Sequence, residues 1–147
     1  MSEKQPSEAV VRAWTRLLRA QQTALSAIEG ELKAAGLPAL EWYDVLLELS
    51  RAEPPGLRPS ALEARLLLAQ YNLSRLLDRM VKAGYVRRVP VPEDARGHYL
   101  EITDAGRTLM QQVWPVYRAG IARHVGDKLT KAEAQQLGDL LERLLAR

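Results

Sequence analysis

Gln70-Tyr71-Asn72-Leu73-Ser74-Arg75-Leu76-Leu77-Asp78-Arg79-Met80-Val81-Lys82-Ala83-Gly84-Tyr85-Val86-Arg87-Arg88-Val89 is the stretch on which the fold turns. Leu73, Leu76, Leu77 and Met80 fall on one side of a helix predicted from about Gln70 to Ala83. Gly84 supplies a left-handed stop. With that stripe inward, 100° per residue turns Tyr71, Ser74, Arg75, Asp78, Arg79 and Lys82 outward or sideways. Gln70, Tyr71 and Asn72 are expected in the first helical turn. Arginine pairs with guanine, and Asn or Gln with adenine, in two-pronged fashion, while Ser, Tyr and Lys suit phosphate. The same face also reads as a solvated amphipathic helix in which Asp78 and Lys82 pair four residues apart.

Working outward, Val86-Arg87-Arg88-Val89 and His98-Tyr99-Leu100-Glu101-Ile102 are two short predicted strands, the second alternating with period two. Pro90 to Gly97 is a turn-rich connection, so the pair forms a hairpin with Arg96, Gly97 and His98 on a projecting tip. An exposed arginine on a thin β-tip suits the narrow, electronegative minor groove. Asp94 reads as a turn former or an orienting partner for Arg96. Upstream, Pro59 to Leu66 is a short helix with proline in its first turn. Helix, tight turn, helix and basic-tipped hairpin together make a winged helix.

The flanks are helical. Val10, Trp14, Leu17, Gln21, Leu25, Ile28 and Leu32 mark one long helix from about Ser7 to Ala34, and a second runs from about Ala39 to Arg51. Thr103-Asp104 opens another long helix, and Thr130-Lys131-Ala132-Glu133 is a capping box that starts a leucine-rich last one. The 147 residues include 25 Leu and 20 Ala but only 3 Ile and 5 Thr, which favours helices throughout. The fold class is therefore mainly α with a small β-hairpin wing. Residues 36–107 form the winged helix-turn-helix part, within a single domain over 1–147.

Charge sharpens the reading. Net +3 is mild, but residues 1–56 balance at −2, 57–107 at +3 and 108–147 at +2. The local basic surface points to a polyanion. Absence of cysteine excludes disulfides, thiolate metal sites and thiol nucleophiles. His98 and His124, the only histidines, lie far apart without clustered ligands, so each is expected at the surface or on DNA, and no metal or cofactor is expected. No phosphate-binding glycine loop or nucleophile elbow occurs, and no enzyme is expected. With no apolar run of membrane-spanning length and no secretory stretch at Met1–Pro6, a cytoplasmic protein is expected.

Leu62-Glu63-Ala64-Arg65-Leu66, then Leu73 through Val86, resemble the MarR family of winged-helix transcriptional regulators. Pro92-Glu93-Asp94-Ala95-Arg96 and Leu100-Glu101-Ile102-Thr103-Asp104-Ala105-Gly106-Arg107 are similar to that family's wing signature and its exit into the next helix. Two features depart from the pattern: Ala95 stands where a second wing arginine is frequent, and Leu67-Leu68-Ala69 replaces a glycine and a polar cap. An alanine cap there would cost the reading helix about 1 kcal/mol.

The resemblance implies a homodimer joined through residues 7–35 and 108–147, binding double-stranded DNA at an inverted-repeat operator, mostly as a repressor. The long apolar stripes at both ends support a dimer independently. The DNA-binding candidates are Ser60, Gln70, Tyr71, Asn72, Ser74, Arg75, Arg79, Arg88, Asp94, Arg96 and His98. The resemblance also implies release by a small aromatic or phenolic effector, for which Trp14, Arg16, Trp42, Trp114 and Tyr117 are the candidates; the aromatics read equally as core and dimer packing. The alternative is a winged-helix protein-interaction module without specific DNA binding.

Overall fold

The computed structural model describes residues 3–146. The helices are α1 (Glu8–Ala34), α2 (Leu40–Arg51), α3 (Pro59–Arg65), α4 (Leu73–Lys82), α5 (Asp104–His124) and α6 (Lys131–Leu145). The strands β1 (Val86–Val91) and β2 (Asp94–Ile102) lie between α4 and α5, and a 3-10 turn at Gly126–Lys128 precedes α6. The protein is mainly helical with one antiparallel hairpin. It divides into two compact units: Leu32–Val116, and the two ends, up to Glu31 and from Tyr117.

The middle unit is built around fully buried Leu46, Leu62, Leu76, Met80, Val86 and Leu100, drawn from α2, α3, α4 and both strands. Apolar residues three and four apart on each helix, and alternate residues on β2, deliver these side chains to one interior. Gly84 ends α4 with φ +87°, and Tyr85 N–H reaches back to Met80 O at 3.0 Å. Thr103 joins the ends of the hairpin region. Its Oγ1 donates to Gly84 O (2.6 Å) and accepts from Gly106 N–H (3.0 Å), capping α5 as the sequence predicts.

Three features differ from the sequence reading. First, α4 begins at Leu73, with Asn72 as its N-cap residue at φ −146°. The upstream backbone is engaged elsewhere, because buried Asp44 of α2 accepts Leu67 N–H on Oδ1 (3.1 Å) and Leu68 N–H on Oδ2 (2.8 Å). Gln70, Tyr71 and Asn72 therefore precede the helix rather than forming its first turn, and the alanine cap expected at Ala69 is not used.

Second, the strands run well into the expected turn. Pairing proceeds from Val86↔Ile102 to Pro90↔His98, then jumps to Val91↔Asp94. The turn is only Pro92-Glu93, and Ala95, Arg96 and Gly97 form an unpaired excursion of β2. Pro90 is tolerated because β1 is an edge strand.

Third, Leu57 adds a one-residue third strand. Its N–H and C=O exchange hydrogen bonds with Leu100 at 3.0 and 2.7 Å. Gly56 is needed beside it: φ is +115°, and a Cβ would lie 2.1 Å from Leu100 O.

In the end unit, Ser7 Oγ accepts Val10 N–H (3.2 Å) at the start of α1, and the Thr130–Glu133 capping box launches α6 as predicted. Hydrogen bonding from Thr130 holds the Glu133 carboxyl below its ordinary value. The α1 and α5 segments are tied through Glu31, whose Oε1 accepts from Arg123 Nη1 and lies 2.8 Å from His124 Nε2. The hydrogen bond to His124, reinforced by Arg123 against the opposing effect of burial, lowers the Glu31 pKa. His124, expected at the surface or on DNA, is thus half-buried against a carboxylate.

Candidate nucleic-acid interface

The outer face of α4 follows from its inner one. Because Leu76, Leu77 and Met80 are buried, Ser74, Arg75, Asp78, Arg79 and Lys82 are exposed on the other side of the cylinder. Their electrostatic roles differ. Arg79 Nη2 lies 3.7 Å from Glu41 of α2. Arg88 of β1 donates through Nη2 to Asp78 Oδ1, so the partner of Asp78 comes from the hairpin and not from Lys82 one turn along. Arg87 pairs across the hairpin with Glu101 at 2.8 Å. Arg75, Lys82 and Arg96 are exposed and form no ion pair among the described residues.

Arg96 sits at the centre of the unpaired excursion of β2. Its backbone N–H donates to Asp94 Oδ1 (3.0 Å), while Asp94 Oδ2 faces Arg58 Nη1 at 3.4 Å. The Arg96 N–H, with Arg58 adding to it and burial opposing, holds the Asp94 carboxyl below its ordinary value. Asp94 thus orients the Arg96 backbone while its side chain faces donors of its own chain. His98 is half-buried on β2 opposite Pro90. Ser60 is exposed in the first turn of α3; Tyr71 and Asn72 are exposed before α4, and Gln70 is half-buried there.

Arg58 and Asp44 escaped the sequence reading. Arg58 reaches a residue 36 positions away and Asp44 captures amides 23 and 24 positions away. The one local signal was a carboxylate inside the apolar run Trp42-Tyr43-Asp44-Val45-Leu46. Such a residue must find hydrogen bonds when buried.

Of the effector candidates, Trp42 and Trp114 belong to the middle unit and Trp14, Arg16 and Tyr117 to the ends. Trp42 meets Tyr85 edge-on at 6.0 Å, and Trp114 stacks on Tyr43 at 6.2 Å between ring centroids. Burial raises the Tyr43 hydroxyl pKa. Trp14 and Arg16 are exposed on α1, and Tyr117 is half-buried. Among the described residues no three His, Asp or Glu side chains gather as a metal site, and no helix is long and apolar enough to cross a membrane.

Comparison with known proteins agrees with this architecture. Residues 35–97 match the model of the MarR family. The transcriptional regulator PecS of Dickeya dadantii is 33% identical over 72 residues, 48% of this chain and 43% of that protein. The chain spans about half the length of the curated relatives it matches. Among solved structures, AbsC, a MarR family transcriptional regulator from Streptomyces coelicolor, has 26% identity and a TM-score of 0.82 over 97% of this chain and 96% of its own. Sco3205 from the same organism, solved in complex with DNA, has the same fold at 23% identity, with a TM-score of 0.84 over 98% and 90%. Helix, captured turn, helix and bulged hairpin are thus similar in sequence to the MarR family over residues 35–97, and in fold to MarR family regulators over nearly the whole chain.

Proposed function

We propose that the protein is a sequence-specific DNA-binding transcriptional regulator that works in the cytoplasm as a homodimer and represses from an inverted-repeat operator. The observation that carries this reading is the set of exposed, unpaired cations, Arg75 and Lys82 on α4 and Arg96 on the wing. Guanidinium and ammonium groups on an exposed helix face and on a hairpin suit the major and minor grooves of one duplex. Ser60, Tyr71, Asn72 and Ser74 are exposed beside them as hydrogen-bonding groups for phosphate and base edges, with Gln70 and His98 half-buried at the margins. Arg79 and Arg88 contribute charge while held by Glu41 and Asp78.

The dimer reading rests on the ends of the chain, where Val10, Trp14, Leu140 and Leu144 are exposed at helical spacing. A two-fold dimer presents two copies of α4 to half-sites about one helical turn apart. We further propose that a small aromatic or phenolic acid releases the DNA. The candidates are Trp14, Arg16 and Tyr117 in the end unit and, separately, Trp42 and Trp114 in the middle unit, where Trp114 is stacked and partly exposed.

Selection of duplexes from a random library by the full-length protein tests the reading. Enrichment of an inverted repeat bound by two chains is the expected result, and equal retention of all duplexes overturns it. On the selected duplex, Arg96→Ala should weaken binding several-fold and make its salt dependence shallower by about one counterion. Salicylate serves as the effector probe: quenching of tryptophan fluorescence with release of the duplex is expected, and unchanged fluorescence and binding contradict the release step.

A further inference from the structure

We infer that Arg58, at the entrance to α3, is the positioning residue that holds the wing arginine in its DNA-competent place. The inference rests on the DNA-binding reading of the wing. Arg58 belongs to no strand of the wing, yet its side chain closes the excursion that displays Arg96. Its Nη1 lies 3.4 Å from Asp94 Oδ2, and its guanidinium carbon lies 5.5 Å from the centroid of the Tyr99 ring. Asp94 is the hinge of the arrangement, because its other oxygen accepts the Arg96 N–H at 3.0 Å. One carboxylate thus reads two inputs, an arginine from the helix-turn-helix and the backbone of the residue that faces outward.

Gly97 makes the latch sterically specific. A Cβ there would sit 2.6 Å from Asp94 Oδ2 and 2.8 Å from Arg58 Nη1, directly over the pair. The side chain of Arg58 is 43% exposed and that of Asp94 46%, so the pair adds little to global stability. What it removes is freedom in a segment with no ladder bonds. Residues 95–97 face no partner on β1; the backbone of Asp94 is paired with Val91, and Arg58 restrains the carboxylate that holds the Arg96 N–H. Arg58 also precedes α3 without a side-chain capping bond, so its replacement leaves that helix capped as before.

The test combines two readouts on the full chain. In the free protein, Arg58→Ala should speed hydrogen exchange at the Arg96 amide, leave exchange at Leu100 unchanged and leave the melting temperature nearly unchanged. Gly97→Ala should do the same, and Arg58→Lys should restore part of the protection. On the duplex selected by the wild-type protein, Arg58→Ala should weaken binding roughly fivefold. The double variant Arg58→Ala/Arg96→Ala should bind no more weakly than Arg96→Ala alone, with the same salt slope. Additive losses and a further drop in slope would make Arg58 a direct phosphate contact and overturn the inference. So would an unaltered Arg96 amide, or full affinity in Arg58→Ala while Arg96→Ala is impaired. Full affinity in Arg96→Ala instead overturns the DNA reading of the wing, and the positioning inference with it.

Discussion

The two units of the molecule dispose of their apolar residues in opposite ways. Among the described residues, every buried apolar side chain apart from Ile28 belongs to the middle unit, from Leu32 to Val113. The ends have comparable amphipathic stripes, but Val10, Val11, Trp14, Leu18, Leu137, Leu140, Leu144 and Leu145 are all exposed, and α6 buries none of its residues. Helical patterning is therefore not by itself evidence of a core within the same chain. The middle unit satisfies its pattern internally. The ends leave theirs exposed, and that is the surface the proposed homodimer would use.

The largest way to break this contrast is in the middle. Leu46→Ala or Leu62→Ala, each at a position with no exposed surface, should cost about 2–5 kcal/mol in urea unfolding. A cost below about 1 kcal/mol would mean the middle unit is not the autonomous core.

Next, Leu140→Glu with Leu144→Glu should leave the circular dichroism of the middle unit intact. The pair should raise the dimer dissociation constant at least tenfold in sedimentation, through charges placed on an apolar interface. An unchanged sedimentation profile would place the dimer contact elsewhere or deny it.

The smallest effect concerns pH. Because the Glu31 carboxyl is held below its ordinary value in the folded protein, it contributes stability above the unfolded-state pKa, and that contribution is lost as pH falls through the folded one. Glu31→Gln should therefore flatten the loss of stability between about pH 5 and pH 3. An equally steep acid limb in the variant would show that the contacts with Arg123 and His124 are not coupled to folding.

Local chemistry was legible in the sequence, and distant chemistry was not. The Thr130–Glu133 box, the Thr103 cap and the Gly84 stop each involve residues within a few positions, so composition and spacing revealed them. The start of α4 was misjudged because the amides before it are captured by Asp44, a residue of a different helix. The wing was drawn too short because two prolines read as a turn, whereas an edge strand accommodates Pro90. The outward face of α4 was read correctly from its apolar stripe, yet the partner of Asp78 was not, since no period announces that β1 passes beside it. The Arg58–Asp94 and Glu31–His124 contacts lie beyond any window in which pattern carries information.

The capture of two amides by Asp44 bears on how the protein tolerates change. A turn usually dictates its own residues, through glycine, asparagine or a polar cap. Here the geometry is imposed from α2, through the main-chain N–H groups of Leu67 and Leu68. The exposed side chains of Leu67 and Tyr71 are thereby released from folding duty. Leu67 is where sequence is free to drift, or to be rewritten in the laboratory, provided position 44 keeps both carboxylate oxygens, whereas Tyr71 answers to the proposed DNA contact.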